Sequence, residues 1–550
     1  MEHTVVILVL TLVVISAAAC LAPRLGVPAQ LILVVAGIGI SLLPSTPDVT
    51  VDPQLILLGL LPPLLYASAT TISATNFRRD FRAINGLSVI LVVLSSTALG
   101  ALFTFLIPGL GFGWGAALGA ILSPTDAVAT SIIKGRGVPD RAVVILEGES
   151  LLNDASALVV LRTAIIATSI GFSFWQALGS FAYSVSVAVV VGGLAAVLNL
   201  AIRRRVHDEA VNTVLSFTTP FAAAVPAELL HGSGLVAAVV AGLVTGIRAP
   251  RDLPPGHRLS DARNWASVQL VLEGLVFLTM GLQLSTIFRQ VEAKGAGMGH
   301  AFAIAAVALA SMILIRAAYV GPLLWALKGS ARYWQSMQPK VVAMQVNLRE
   351  GRISHEMARQ AGALRGNPSQ RAIRRLAARL RRGLADIDYL SLQPLGFAEG
   401  LVVVWAGMRG AVTVAAAQLL PPETPQRSLL ILIAFLVASF SLILQGGTVR
   451  IAVQMLFRGR NADATRERDQ QERERMRALL DETASACERQ GGISELSYKL
   501  TILAAQRNAL LDARDDGTFD EEHLRVALLD VDVDELVLRL RGQPNPADRA

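Results

Sequence analysis

Glu147-Gly148-Glu149-Ser150-Leu151-Leu152-Asn153-Asp154 stands inside an apolar run from about Ala142 to Ile170, long enough to cross a bilayer. A charged side chain near a bilayer centre costs roughly 2.5–3.5 kcal/mol even on the lenient insertion scale, so Glu149 and Asp154 mark a site rather than filler. On a helix, Ser150 and Asp154 are one turn apart and share a face, while Glu149 and Asn153 share the adjacent one. Four oxygen-bearing side chains are thereby expected to converge on one groove.

Working outward, the chain has the composition of a polytopic all-α membrane protein. Of its 550 residues 53% are hydrophobic and 17% charged, the mean hydropathy is +0.53, and apolar residues come in blocks of about twenty. A net charge of +7 would suggest nucleic acid in a soluble chain. Here the arginines cluster in short loops between spans, which is a topology signal, and nucleic acid is not implied. Cys20 and Cys487 frame neither a disulfide nor a metal site. Residues 1–22 carry Glu2 and His3 where a signal peptide is basic, so they read as the first span.

Roughly thirteen spans follow from the hydropathy, at about 4–22, 27–43, 54–73, 85–107, 112–133, 142–170, 176–202, 211–229, 233–247, 266–285, 300–327, 396–420 and 427–452. Basic residues fall in alternate loops: Arg24; Arg78, Arg79 and Arg82; Lys134, Arg136 and Arg141; Arg203 to Arg205; Arg248, Arg251, Arg258 and Arg263. Only Arg289, Lys294 and Arg427 lie on the poor side. The positive-inside rule then places the N-terminus outside and the C-terminus in the cytoplasm.

Residues 1–455 form the membrane domain, interrupted by a basic cytoplasmic insertion at 328–394. The insertion sets Arg371, Arg374, Arg375, Arg379, Arg381 and Arg382 on a helical pattern beside Leu376, Leu380 and Leu384, suited to anionic headgroups or to an acidic tail. Residues 456–550 read as a small helical cytoplasmic tail. Asp512 to His523 imitates a calcium loop with Gly517 in sixth place, but Arg514 and His523 stand where ligands belong, so calcium is rejected.

In the fifth span, Ser123-Pro124-Thr125-Asp126 puts a proline beside a hydroxyl and a carboxylate. Proline removes a backbone donor and disfavours helix for its predecessor, so the span is expected to unwind and free carbonyls for a cation. Asp126 would compensate the N-terminal end of the second half-helix. Arg316 and Arg409 carry positive charge in the eleventh and twelfth spans, the latter within Gly407-Met408-Arg409-Gly410-Ala411. Glu149 is the partner expected for Arg316 in a supporting ion pair, and Arg409 would neutralise the C-terminal end of a broken half-helix. Glu273 reads as unpaired and without a role. No phosphate-cradling loop, kinase motif or nucleophile with a base is present, so an enzyme is not expected; His231 reads as solvated in a short loop.

Ser123-Pro124-Thr125-Asp126-Ala127-Val128, Glu147 to Asp154 and Gly407-Met408-Arg409-Gly410-Ala411-Val412 together resemble the signatures of monovalent cation/proton antiporters of the NhaP and animal sodium/proton exchanger branch. Leu61-Pro62-Pro63-Leu64-Leu65-Tyr66 is similar to another family string, and the insertion and tail resemble the bacterial subgroup. The resemblance covers about residues 1–455. Ser68 departs from it, since relatives often carry an acidic residue there.

The resemblance implies an NhaA-like antiporter fold: inverted repeats, the first six spans against spans eight to thirteen, with broken fifth and twelfth spans crossing at the midplane. It also implies that Asp154 binds a monovalent metal cation or a proton, helped by Ser150 and Thr125, while Asn153 and Asp126 join the ion-binding group and tie the crossing together. Proton and cation are alternative charges for one desolvated carboxylate, and competition at one alternating-access site yields exchange. Electrogenic relatives have a second aspartate in place of Asn153, which points here to electroneutral one-for-one exchange. The expected activity is Na+/H+ antiport in pH homeostasis, by a homodimer in the lipid bilayer of the plasma membrane, with no cofactor. The alternatives are potassium as main substrate and, in other classes, a cation channel or a membrane sensor.

Overall fold

The computed structural model describes residues 2–43, 52–170, 174–292, 298–349, 370–458, 462–487 and 494–541. Among them every regular element is helical. The first spans are α1 (Glu2–Leu25), α2 (Ala29–Ser41) and α3 (Leu61–Thr71), the last entered through a π-helical turn at Leu55–Leu60 with Pro62 and Pro63 in its first turn. Two short helices, α4 (Ala74–Arg79) and α5 (Phe81–Asn85), lead into α6 (Leu91–Leu106).

The fifth segment is broken. α7 (Phe112–Leu122) stops before Pro124, residues 123–127 leave the helix, and α8 (Val128–Ile133) resumes. The missing proline donor and the restricted residue before it account for the interruption. Beyond it run α9 (Asp140–Ile170), α10 (Phe174–Arg203), α11 (Glu209–Leu229), α12 (Gly234–Asp252), α13 (Pro255–Leu282), α14 (Leu284–Glu292) and α15 (Met298–Arg349). After α16 (Gln370–Leu392), the twelfth segment is also broken, into α17 (Phe397–Trp405) and α18 (Ala411–Gln418) around Gly407 and Gly410. α19 (Arg427–Ser441) and α20 (Gly447–Leu456) complete the apolar series. Eight of these stretches are long and apolar enough to cross a membrane, and shorter apolar helices lie between them. The breaks occupy the fifth place of the first six segments and the fifth place of the last six.

Several sequence expectations change. The eleventh segment does not end near residue 327, because α15 continues as one helix to Arg349; residues 350–369 of the insertion lie outside the described residues. Arg141 and Arg203, counted above as loop charges, are buried. Arg141 pairs with the equally buried Asp80 at 2.8 Å; Arg203 pairs with Asp261 and donates to Asn212 at 2.8 Å. Arg427, on the poor side for topology, is bound to the carbonyls of Gln418 and Leu420 at 2.8 and 2.7 Å, neutralising the end of α18. Lys294 lies outside the described residues, as do the side chains of Arg371, Arg374 and Arg375.

The chain divides into two compact units: Met1–Leu253, His257–Leu323 and Phe397–Arg458; and Pro254–Gly256, Leu324–Gly396 and Gly459–Ala550. In the second, α21 (Ala462–Ser485), α22 (Glu495–Asp516) and α23 (Glu521–Arg541) close on Met476, Leu510, Leu524 and Val531. Arg507 joins Asp532 and Glu535 inside this bundle. Arg381 and Arg382 of the insertion meet Asp516 of the tail at 3.2 and 3.6 Å, which favours the tail over headgroups as their partner. Gly517, the calcium-like glycine, has φ +67° and caps α22, a conformation other residues rarely adopt.

Candidate functional site

In the first unit the two breaks touch. The Asp126 amide donates to the Met408 carbonyl at 2.7 Å, fastening one unwound strand to the other. The Asp126 carboxylate accepts from the Val128 amide at 3.1 Å, at the start of α8. Its other oxygen lies against Gly410, the residue before α18, so closely that a Cβ there would occupy the same place. One carboxyl group thus serves the N-terminal ends of two half-helices. The mirror arrangement uses Arg409. Its guanidinium donates to Leu122 O, the last residue of α7, at 3.1 Å, and to Gly407 O just beyond α17. Gly410→Ala is accordingly expected to displace Asp126. Overpacking of this kind costs about 1–3 kcal/mol, and melting in detergent together with exchange rate would show both falling.

α9 carries the site's other side. Asp154 and Ser150 are buried and line a cavity of about 250 Å³ together with Thr125 and Asp126. Among the described residues no hydrogen bond holds the Asp154 carboxylate, whereas Ser150 donates to Glu147 O at 3.0 Å. Glu149 and Asn153, on the adjacent face, do not line the cavity, so the expected convergence of four side chains on one groove is corrected to two. Asn153 Nδ2 donates to Thr125, at 2.5 Å to its hydroxyl and 3.3 Å to its carbonyl, while Asn153 Oδ1 is buried with no hydrogen-bond partner among the described residues. Asn153 thus holds Thr125 in place through its nitrogen.

Glu149 is 1% exposed and binds Arg316, 2% exposed, through both carboxylate oxygens, one contact measuring 2.7 Å. Thr125 donates to the same carboxylate at 3.2 Å, and Arg316 Nε reaches Val403 O of α17 at 2.9 Å. The pair therefore joins α9, α15 and both broken segments.

Glu273, read above as unpaired, is corrected. It lines the same cavity and accepts from Gln269 at 2.8 Å and from Gln30 of α2 at 3.1 Å. Gln269 one turn before it was a usable sequence signal; Gln30 was not. Ser68 lines the cavity as well, as do Lys134 and Glu147, 3.4 Å apart.

A family model described as sodium/hydrogen exchanger, transmembrane, matches residues 8–355. The chain belongs to the sodium/hydrogen exchanger family. It is thus a multi-pass membrane transporter and not an enzyme. Members similar to it include a Na+/H+ exchanger of Mycobacterium bovis, 28% identical over 439 residues, 78% of this chain and 70% of the relative. A sodium, potassium, lithium and rubidium/H+ antiporter of Bacillus pumilus is 32% identical over 330 residues, 58% of this chain and 49% of the relative. Among solved structures of exchangers, the sodium proton antiporter MjNhaP1 of Methanocaldococcus jannaschii at pH 8 superposes with a TM-score of 0.55 at 18% identity, covering 81% of this chain and 100% of that one. Its fold is the fold described here.

Proposed function

We propose that this exchanger moves a sodium ion against a proton, with Asp154 holding either one in turn. The observation that carries the reading is a buried carboxylate, bound by no hydrogen bond among the described residues, facing a cavity at the crossing of two broken segments. Ser150, Thr125 and Asp126 add oxygens on the same cavity, which suits a hard monovalent cation. Asn153, Glu149, Arg316 and Arg409 hold the frame. Asp126 is committed to the half-helix ends and Glu273 to two amides, so the reading gives the exchange to one carboxylate, Asp154, and makes it electroneutral, one for one.

Residues 1–455 transport, and the insertion and residues 456–550 form the cytoplasmic part. The alternating basic loops put the N-terminus outside and the C-terminus in the cytoplasm of a plasma membrane; with Arg141 and Arg203 set aside as buried, the remaining loop arginines keep the same bias. Family likeness favours a homodimer serving pH homeostasis, and the transported ions are the only small molecules the reading requires.

The test is dye-reported proton flux in proteoliposomes with a preset pH gradient, adding sodium, potassium or lithium in turn, with the voltage clamped by valinomycin. Sodium is expected to collapse the gradient, saturably and at a rate independent of voltage. A response to potassium alone would reassign the substrate. Non-saturating flux would restore the channel, and voltage dependence would remove the one-for-one stoichiometry.

A further inference from the structure

α10 packs along α12, with Gly192 set against the Ala237 carbonyl. Toward the C-terminal ends of both helices a groove of about 420 Å³ opens between Val190, Leu194 and Val197 on one side and Val244 and Ile247 on the other. This lies within the roughly 300–1,000 Å³ of small-molecule sites. Its floor includes Gly193, where nothing stands within 4 Å of an added Cβ. Val190, Leu194 and Leu198 are about 60% exposed and continue the apolar wall along α10.

The groove is not apolar throughout, because Arg248 closes its end. Arg248 is exposed, and Arg204 and Arg205 follow the C-terminus of α10, also exposed. Arg203, their neighbour, is different: it is buried and bound to Asp261 and Asn212, so it takes no part. An apolar groove ending in the exposed Arg248 guanidinium matches one chemistry, an acyl chain under an anionic phosphate headgroup. A second copy of the chain fits worse, since a two-fold axis through this face would bring the same arginines of both copies together.

We propose that the α10–α12 groove is a binding site for a phospholipid with an anionic headgroup, the chain lying between Val197 and Val244 and the phosphate on Arg248. The site bears on transport through α12, which packs on α3, whose Leu64, Leu65 and Ser68 line the ion cavity.

Native mass spectrometry of the delipidated full-length protein, titrated with dioleoylphosphatidylglycerol or dioleoylphosphatidylcholine, tests this. Wild type is expected to retain one phosphatidylglycerol per chain at a concentration at least about fivefold below that needed for phosphatidylcholine, and Arg248→Gln to narrow that preference by about fivefold, the worth of one interfacial arginine. Gly193→Leu, which fills the groove from its floor and improves helix propensity, is expected to abolish retention of both. Equal retention of the two lipids by wild type, or unchanged retention in both variants, would overturn the site. So would a loss of two-copy assemblies in Gly193→Leu with the lipid adduct intact, which would give the groove to a second copy.

Discussion

Asp154→Asn is expected to reduce exchange to the level of protein-free vesicles while leaving the protein folded. An amide has the same charge in every state, so it cannot trade a cation for a proton. The same substitution removes a buried carboxylate that no donor satisfies among the described residues. Desolvating an unpaired charge is unfavourable, so the variant's melting temperature should not fall. Loss of activity at undiminished stability is the pattern of a functional group held at a structural cost. Asp154→Glu, which keeps the charge but lengthens the arm, is expected to retain partial exchange with altered sodium affinity. If Asp154→Asn exchanged normally, the alternating group would have to be sought at Asp126 or Glu273, which share its cavity.

Removing one member of the Glu149–Arg316 pair is expected to be the most destabilising single change in the membrane unit. Both side chains are buried and the contact is bidentate, so either truncation leaves an uncompensated charge out of water. Breaking such a pair costs about 3–5 kcal/mol. Glu149→Gln also weakens the acceptor for Thr125, while Arg316→Met frees Val403 O of α17. The double substitution Glu149→Gln with Arg316→Met should recover more than half of the loss, since no lone charge remains. Thermal melting of the four proteins in one detergent gives the coupling directly. Strict additivity would show that the two groups act apart and that the pair does not brace the crossing.

Legibility in the sequence followed locality. Apolar blocks of spanning length, the Pro124 interruption and the glycines around Arg409 are short-range features, and each produced the element expected. Glu149 with Arg316 was legible although 167 residues separate them, because intramembrane charges are few and opposite ones must meet. Arg141 and Arg203 went the other way. A count of loop charges treats every arginine near a span end alike, and only packing shows that Asp80 and Asp261 draw these two inside.

By itself the sequence determined a many-spanned helical membrane protein, the two places where helices break, and the carboxylate most costly to leave unused. Tertiary structure alone decided which side chains face the cavity. It turned Asp154 and Ser150 inward and Asn153 onto Thr125, gave Glu273 its amide from Gln30, and put Arg409 on Leu122, 287 residues away. The physical reason is that a helix's periodicity names its faces but not what each face meets. At a crossing of two unwound segments the neighbours come from opposite ends of the chain, and their hydrogen bonds settle which oxygens remain free for an ion.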